Sequence, residues 1–188
     1  MLDIALKFVT DELNTFFVTQ TGATKDKVEL RSVLDATGAF AGDDTIGLSV
    51  INLEEERVLK THLPQYTYVN GQHVVKPPEL KINVDLLFAG KFSVYEEALK
   101  YLSYVLLFFQ TYSSFTQDSF PALDSGIEKL IFELQSLNYE QWNLIWGYNG
   151  GKQLPCLAYK MRLVVIQPET PYAVQPPLTI ISTTLHST

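Results

Sequence analysis

The sequence contains few of the residues that carry covalent, metal or redox chemistry. Its 188 residues include one cysteine and three histidines. Because Cys156 is alone, the chain forms no internal disulfide, and its cysteine usage does not indicate an oxidising compartment. His62, His73 and His186 each lack a second ligand at metal-binding spacing, so no zinc site is predicted. We therefore expect neither a bound metal nor a cofactor.

Catalytic signatures are lacking as well. The sequence has no G-x-S-x-G turn and no H-E-x-x-H pair. The glycine-rich segment 147–153 has the wrong glycine spacing for a phosphate loop, and it follows a predicted helix where a phosphate loop follows a strand. Asp43, Asp44 and the glutamates at 54–56 have no neighbouring lysine, histidine or enclosing apolar run that would shift their acidity. These absences predict a protein that is not an enzyme.

The chain is also poor in basic charge and in long hydrophobic runs. It has 14 basic and 21 acidic residues, a net charge of −7. This argues against nucleic-acid binding, which draws most of its affinity from clustered lysine and arginine. The longest apolar run, residues 104–109, is far shorter than the ~20 residues that span a bilayer, and Asp3, Lys7 and Asp11 interrupt any export signal. We expect no membrane insertion and a protein made and kept in the cytoplasm.

The clearest pattern that the sequence does contain runs from Leu130 to Gln167. A strand from Leu130 is followed by a helix with Asn138 as its predicted cap and Gln141 at the capping-box position. One side of this helix carries Trp142, Ile145 and Trp146, and we interpret both tryptophans as core residues. Glycines are predicted to end the helix, namely Gly147, Gly150 and Gly151. A second strand after Pro155 alternates with one face in the core, through Leu157, Tyr159, Met161, Leu163 and Val165.

The first helix is predicted over residues 2–19, with Thr21-Gly22 ending it. Most of its apolar residues form one broad arc, but Ile4, Phe8 and Val18 lie on the otherwise polar side. Such a second patch is covered either within the fold or by a neighbouring subunit, and symmetric self-assembly is the usual cover. We therefore predict that Ile4 and Phe8 belong to a subunit contact.

The rest of the first half is predicted to be mainly strand and loop. Strands are expected at 27–33, at 46–60 with a β-bulge near Ile51, and at 80–88 with Gly90 ending the last one. Residues 64–78 are expected to form a loop, with Asn70-Gly71 as a turn signal. The acidic run at the end of the second strand is either a solvated strand end or a partner contact, and it consists of Glu54, Glu55 and Glu56 followed by Arg57.

A helix is predicted over residues 94–112, opened by a capping box of Ser93 and Glu96. It is apolar nearly all round, so we expect it to be buried on more than one side. The tail from 168 to 188 begins as a proline-rich connector and ends in a strand-forming segment that includes Leu178, Ile180 and Ile181. This arm either pairs with another chain or folds back as an edge strand of its own sheet.

Several of these segments together resemble the terminal cap family of contractile injection systems, which are phage-tail-like and antifeeding-prophage-like particles. The resemblance is carried mainly by Leu134, Leu137, Asn138, Glu140, Leu144, Ile145 and Trp146, and then by Leu157, Ala158, Tyr159, Arg162, Val164 and Val165. The segment from Leu48 to Lys60 and the pair Pro77-Pro78 before the third strand are similar to the family as well. Longer family members carry an additional carboxy-terminal domain for which this sequence shows no counterpart, so the resemblance implies a short form.

The predicted fold class is α+β. We expect a mainly antiparallel, mixed sheet of four or five strands, packed by the two longer helices, with the short Trp-bearing helix at one end and a carboxy-terminal strand arm. Residues 1–167 are assigned to one cap or terminator domain, and residues 168–188 to the connector and arm.

The resemblance implies a structural assembly protein that closes the inner tube and sheath as a ring of six subunits. Its implied partners are further copies of itself, the inner tube protein, the sheath protein and a tape-measure protein. Two alternatives stay open at this point. One is a terminator of a true phage tail, and the other is a small-molecule-binding or enzymatic domain with a pocket near Trp142 and Trp146.

Overall fold

The computed structural model describes residues 1–56, 65–69, 72–76, 80–165 and 173–175. The strands at 65–69, 72–76 and 173–175, and residues 80, 164 and 165, are described by their backbone alone. Of the predicted interface residues, Arg57, Leu178, Ile180 and Ile181 lie outside these ranges.

The described residues form three helices and nine strands. The helices are α1 (Leu2–Thr21), α2 (Tyr95–Thr111) and α3 (Tyr139–Tyr148). The strands are β1 (Val28–Leu30), β2 (Thr45–Glu55), β3 (Gln65–Val69), β4 (Gln72–Lys76), β5 (Leu80–Lys91), β6 (Ser114–Phe115), β7 (Ile127–Leu134), β8 (Cys156–Val165) and β9 (Ala173–Gln175). The α+β prediction is therefore confirmed.

The main sheet has six strands in the described part of the chain, in the order β1-β2-β5-β8-β7-β6. All neighbours are antiparallel except β1 and β2. The expected four or five strands were too few, because β6 has only two residues and so carries no alternating pattern. The predicted bulge is confirmed by a shift of register between Val50 and Asn52.

Gly90 does not end β5, which continues to Lys91. A Cβ atom added at Gly90 would lie 3.3 Å from Ala98 Cβ on α2 and 3.3 Å from Ile46 Cδ1. Contacts this short are tighter than most that real side chains make, so a larger residue at this position would have to displace Ala98 or Ile46 slightly.

The prediction of a loop over residues 64–78 was wrong. β3 and β4 pair as antiparallel strands within that range, and Asn70 and Gly71 are the two residues between them. An Asn-Gly pair between two β-forming runs is a strong hairpin signal, and it was interpreted only as a turn. β9, in the predicted connector, pairs with β4, so the second sheet has the order β3-β4-β9.

One face of the main sheet packs against α1 and α2 through a core rich in aromatic side chains. Phe109 on α2 stacks on Phe132 of β7, with ring centroids 4.5 Å apart. Phe17 of α1 contacts Tyr101 of α2 at 5.4 Å. The predicted end of α1 is confirmed by Gly22, which adopts a left-handed conformation with φ 67°.

Phe8 is part of this core, so the expectation that its own domain leaves it uncovered was wrong. It is 7% exposed, and its ring meets Phe115 at 5.7 Å and Phe120 at 6.0 Å, both edge-on. The segment after α2 covers it, and helical periodicity alone does not reveal that cover. Ile4 and Val18 remain exposed, at 40% and 47%.

The predicted capping box of α2 is absent. The cap residue is Val94, without a side-chain hydrogen bond to the helix. Ser93 instead donates its backbone N–H to Asp44 Oδ1 at 2.7 Å. This hydrogen bond is the main reason that the pKa of Asp44 lies below its usual value. A tertiary contact has replaced the local one.

The capping box of α3, by contrast, is confirmed. Gln141 N–H donates to Asn138 Oδ1 at 2.9 Å, and Asn138 N–H donates to Gln141 Oε1 at 2.9 Å. Two amides that a helix start leaves unpaired are therefore satisfied by side chains.

Asn138→Ala is expected to lower the free energy of unfolding by about 1 kcal/mol, the usual cost of losing an N-cap side chain. Asn138→Asp keeps an acceptor at the same position and is the matched control, with little loss expected. Urea denaturation followed by tryptophan fluorescence measures both. Equal losses in the two variants would contradict the capping role.

Candidate interaction surface

The second face of the main sheet carries a small apolar cluster under α3. Leu87 and Ala89 of β5 point to this face, since they alternate with core residues of the first face, and they pack with Val33 and Trp146. Trp146 is 5% exposed, and its ring lies 6.2 Å from that of Phe40. Trp142 is partly buried against the same cluster. The interpretation of Trp146 as a core residue is confirmed.

Cys156 lies beside this cluster and is partly buried. Burial raises the pKa of its thiol to about 11, and the contact with the Trp146 side chain opposes this only in part. The thiol is therefore neutral near pH 7, and a neutral thiol is a poor nucleophile. Cys156 acts as a small apolar residue, as predicted.

A groove of about 860 Å³ lies between α3 and the strands β1 and β2, on the same second face. Its rim carries exposed apolar side chains from both sides, namely Leu30, Val50, Leu144 and Tyr148. Tyr148 is 87% exposed and Leu144 is 61% exposed. Exposed apolar residues gathered around one groove are typical of a protein–protein contact.

The charges in the groove are neutralised within the chain. Lys160 Nζ lies 3.8 Å from Asp85 Oδ1, and Asn52 Nδ2 donates to Asp85 Oδ2 at 3.1 Å. Arg31 Nε lies 3.1 Å from Glu29 Oε2. The groove therefore presents no net charge from these pairs to an occupant.

Three of the polar lining residues are also engaged within the chain, while Ser32 and Tyr148 are exposed to solvent. Ser49 Oγ donates to Arg31 O at 2.6 Å, and Asn149 Nδ2 donates to Ile145 O at 2.8 Å. Gln141 belongs to the capping box of α3. A site built for a polar metabolite presents convergent polar groups with free hydrogen-bonding capacity. This groove instead offers apolar contact.

The acidic run lies next to the groove at the end of β2. Glu54 is exposed and accepts a hydrogen bond from Asn52 Nδ2 at 3.0 Å. Glu56 accepts one from Asn83 Nδ2 at 2.9 Å, and Glu55 is exposed but engaged. Both readings of this run, solvated strand end and partner contact, stay predictions.

A smaller pocket of about 550 Å³ does lie at the two tryptophans, as the small-molecule alternative requires. Glu140 is its one carboxylate, and its described lining residues include no lysine, histidine or cysteine. It therefore contains no acid–base or nucleophile–base pair. Among the described residues, no cluster of histidine, cysteine, aspartate and glutamate could hold a metal ion. Within the same ranges, no helix is long and apolar enough to cross a membrane.

The outer surface of α2 is the feature that the sequence analysis misjudged. The helix was expected to be buried on more than one side, yet Tyr95, Leu99 and Leu107 are exposed. With Ser103 and Gln110, which are exposed as well, they form one stripe, which we call the α2 ridge. No charged residue occurs from 101 to 117. Glu96 and Lys100 are exposed as well and precede Ser103 and Leu107 at helical spacing, so this side of the helix mixes apolar and charged residues. The apolar sequence of the second half of the helix did not show which side the fold leaves exposed.

The Pvc16 N-terminal domain family matches residues 6–180 of the chain. The chain belongs to this family. The resemblance found in the segments around α3 and β8 is thereby confirmed, and the family match extends over nearly the whole sequence.

Two solved structures have the same fold. The PVC sheath/tube terminator of an extracellular contractile injection system, in the extended state, superposes with a TM-score of 0.64 and 13% sequence identity, over 94% of this chain and 62% of that one. The anti-feeding prophage cap, a tube terminating cap, superposes with a TM-score of 0.63 and 17% identity, over 94% and 60%. The chain thus spans about three fifths of the length of these structural cap proteins. No curated protein matches it.

Proposed function

We propose that this protein terminates the inner tube and sheath of a contractile injection system as a ring of six subunits, and that it has no enzymatic activity. The observation that carries the proposal is the fold, which is shared with a sheath/tube terminator and a tube terminating cap over 94% of the chain. The groove and the α2 ridge support an assembly role, because both expose large apolar side chains.

The mechanism would be geometric. A closed ring would match the last layer of the inner tube. Strands added by the ring would pair with the exposed strand edges that sheath subunits otherwise offer to the next sheath layer. Within the described part of the chain, no strand pairs with β2 beyond Leu48 on the side of β1, so the backbone from Val50 to Leu53 is open there. A strand from a neighbouring protein would extend the sheet at this edge.

In the proposed assembly, the protein is made in the cytoplasm of the producing bacterium, stays with the particle and contacts a tape-measure protein there. Purified particles would then contain this chain in a fixed ratio to the tube protein. Co-purification of the tape-measure protein with the chain from cells that lack tube protein tests the last contact.

Electron microscopy of particles made with and without this chain tests the function. Without it, we expect tubes of variable length and sheaths without a defined end. Supplying the chain in trans should restore uniform particles. Particles that keep one length and an intact terminus in its absence would contradict the proposal.

The carboxy-terminal arm, residues 178–185, is proposed to pair with a neighbouring chain. β9 anchors the preceding residues to β4, and Pro176-Pro177 then separates the arm from β9. The arm lies outside the described residues. Support for the pairing comes from its sequence, which is rich in threonine and isoleucine and therefore favours an extended strand.

Deleting everything after Gln175 is expected to weaken capping while leaving the fold intact, since β9 is retained. The measurement is the fraction of tubes with a bound terminus, counted by electron microscopy beside thermal melting. The matched control replaces residues 178–185 with a Gly/Ser segment of equal length, which should behave like the deletion. If the shortened protein caps tubes as the full chain does, the arm is a local strand only.

A further inference from the structure

We propose that the carboxy-terminal arm of one subunit, residues 178–185, pairs with the open edge of β2 in the next subunit and adds a strand to its main sheet. The inference rests on the proposed function and deepens it, because it names the acceptor of the arm. The donor and the acceptor are different surfaces of the same chain. Such a contact repeats from copy to copy and closes into a ring, whereas a two-fold contact stops at a dimer.

The edge of β2 is open on the side of β1 from Val50 onward. In the described part of the chain, the last backbone hydrogen bond on this side joins Arg31 N–H to Leu48 O at 3.0 Å. Backbone groups alternate in direction along a strand, so those of Val50 point to the same side as those of Leu48. The side chain of Val50 is 37% exposed. Both its backbone and its side chain are therefore accessible to a further strand.

Leu53, beyond the β-bulge, presents the same combination. Glu56 N–H donates to Lys81 O at 2.9 Å, so the backbone groups of Glu56 face β5. Leu53 is three residues earlier, an odd number, and its backbone groups therefore face the open side. Its side chain is 52% exposed.

The β-bulge sets the spacing that an added strand must match. Val50 and Leu53 are three residues apart, but their partners on β5, Leu86 and Val84, are only two apart. The bulge takes up the extra residue. A regular strand on the open side would therefore contact both exposed side chains with two residues that are two positions apart, on one face of the sheet.

The arm has this spacing and carries no charge. Leu178 and Ile180 are two positions apart, and the eight residues of the arm would extend about 26 Å as a strand. No lysine, arginine, aspartate or glutamate occurs from 170 to 188, so the arm would bury no charge against the apolar edge. Pro176 and Pro177 lack backbone N–H groups, which favours a chain that leaves β4 before the arm begins.

The borders of the main sheet are less suited to an added strand. Asn14 Oδ1 accepts from the backbone N–H groups of Lys27 and Val28, each at 2.9 Å. Asn14 Nδ2 also donates to Val28 O at 2.9 Å, so a side chain of α1 closes this part of β1. β6, at the opposite border, has only two residues. Glu54 and the bulge limit pairing at β2, as charges and bulges do on natural edges, and the arm adds no acidic residue beside Glu54.

Cross-linking between two single-cysteine variants tests whether the arm reaches the edge of another subunit. Val50→Cys and Leu178→Cys are made separately in a Cys156→Ala chain, assembled together into particles and treated with a short bismaleimide. A cross-linked dimer is expected from the mixture and from neither variant alone, because opposite side chains on paired strands lie about 5 Å apart. Val18→Cys, at an exposed site on α1, replaces Val50→Cys in the matched control and should give no dimer with Leu178→Cys.

Combining both cysteines in one chain distinguishes the competing acceptors. The double variant should give a ladder of cross-linked multimers. If it cross-links only within single chains, the arm pairs with its own β2 and the inference is wrong. A product that joins Leu178→Cys to the sheath or tube protein, in place of the dimer, would equally overturn a second copy of the chain as the partner.

Leu53→Pro, added to the Val50→Cys chain, tests the backbone at the edge. The Leu53 N–H faces the open side, so proline removes no hydrogen bond to β5 but removes a donor that an added strand would use. We expect the yield of the cross-linked dimer to fall roughly tenfold, while the melting temperature stays within a few degrees. Leu53→Ile keeps both the N–H and an apolar side chain, and it is the matched control with an unchanged yield. A folded Leu53→Pro chain that gives the full yield would show that the arm does not use this edge.

The same particles separate this inference from the proposed function. Correctly terminated particles that give no cross-linked dimer would overturn the pairing and leave the capping role standing. Failure of the capping role itself is seen without any variant, as particles of one length and with an intact terminus that are made in the absence of this chain.

Discussion

Trp146→Ala is expected to lower the free energy of unfolding by about 3–5 kcal/mol, as for other buried aromatic residues. The side chain is the largest member of the small cluster on the second face of the sheet, where it contacts Leu87, Ala89 and Val33. The loss would be a large part of the ~5–15 kcal/mol that stabilises a typical domain.

Urea denaturation followed by circular dichroism measures this change without depending on tryptophan fluorescence. Tyr139→Ala on the same helix is the matched control, because Tyr139 is 94% exposed and surface substitutions usually change stability by less than about 0.5 kcal/mol. Trp142→Ala, which removes a partly buried ring, should fall between the two. A Trp146→Ala protein that unfolds like the wild type but loses partner binding would show that Trp146 is a contact residue and not a core residue.

The elements that sequence reasoning placed correctly are those whose signals are local. The capping box of Asn138 and Gln141 marks the start of α3 within a single turn. The alternation on β8 marks a strand because Tyr159, Met161 and Leu163 fall on one face. In both places no long-range contact competes with the locally favoured arrangement in the described structure.

The errors share the opposite property. Ser93 and Glu96 have capping-box spacing, but Asp44, from a distant loop, takes the Ser93 amide. Phe8 lies on a polar helical side, but Phe115 and Phe120, more than a hundred residues later in the sequence, cover it. In each case a long-range contact decided the outcome, and helical periodicity contains no information about such contacts.

The groove was beyond sequence reasoning for a further reason. Its walls come from β1, β2 and α3, and its floor pairs Asp85 of β5 with Lys160 of β8. That pair exists because Asp85 and Lys160 are opposite each other in the sheet register. A sequence gives the strands but not the register between distant ones, so the chain could be assigned to a cap family without its contact surfaces being located.

Phe8→Asp is expected to unfold the domain rather than merely separate subunits. Removing the ring forfeits its contacts with Phe115 and Phe120, and truncating a buried phenylalanine costs about 3–5 kcal/mol. The new carboxylate would lie in the aromatic core without a cationic partner among the described core residues, which adds a further penalty of several kcal/mol. The sum is comparable to the whole stability of a typical domain.

Ile4→Asp is the matched comparison on the same helix. Ile4 is one turn earlier and exposed, so a carboxylate there stays in water and the fold should melt within a few degrees of the wild type. Phe8→Leu, which keeps an apolar side chain, should restore most of the stability lost in Phe8→Asp, because it removes the buried charge and refills much of the space. Circular dichroism with thermal melting distinguishes the three variants. A folded Phe8→Asp protein that has lost only its self-association would place Phe8 at the subunit contact after all, and would mean that the cover supplied by Phe115 and Phe120 contributes little to the fold.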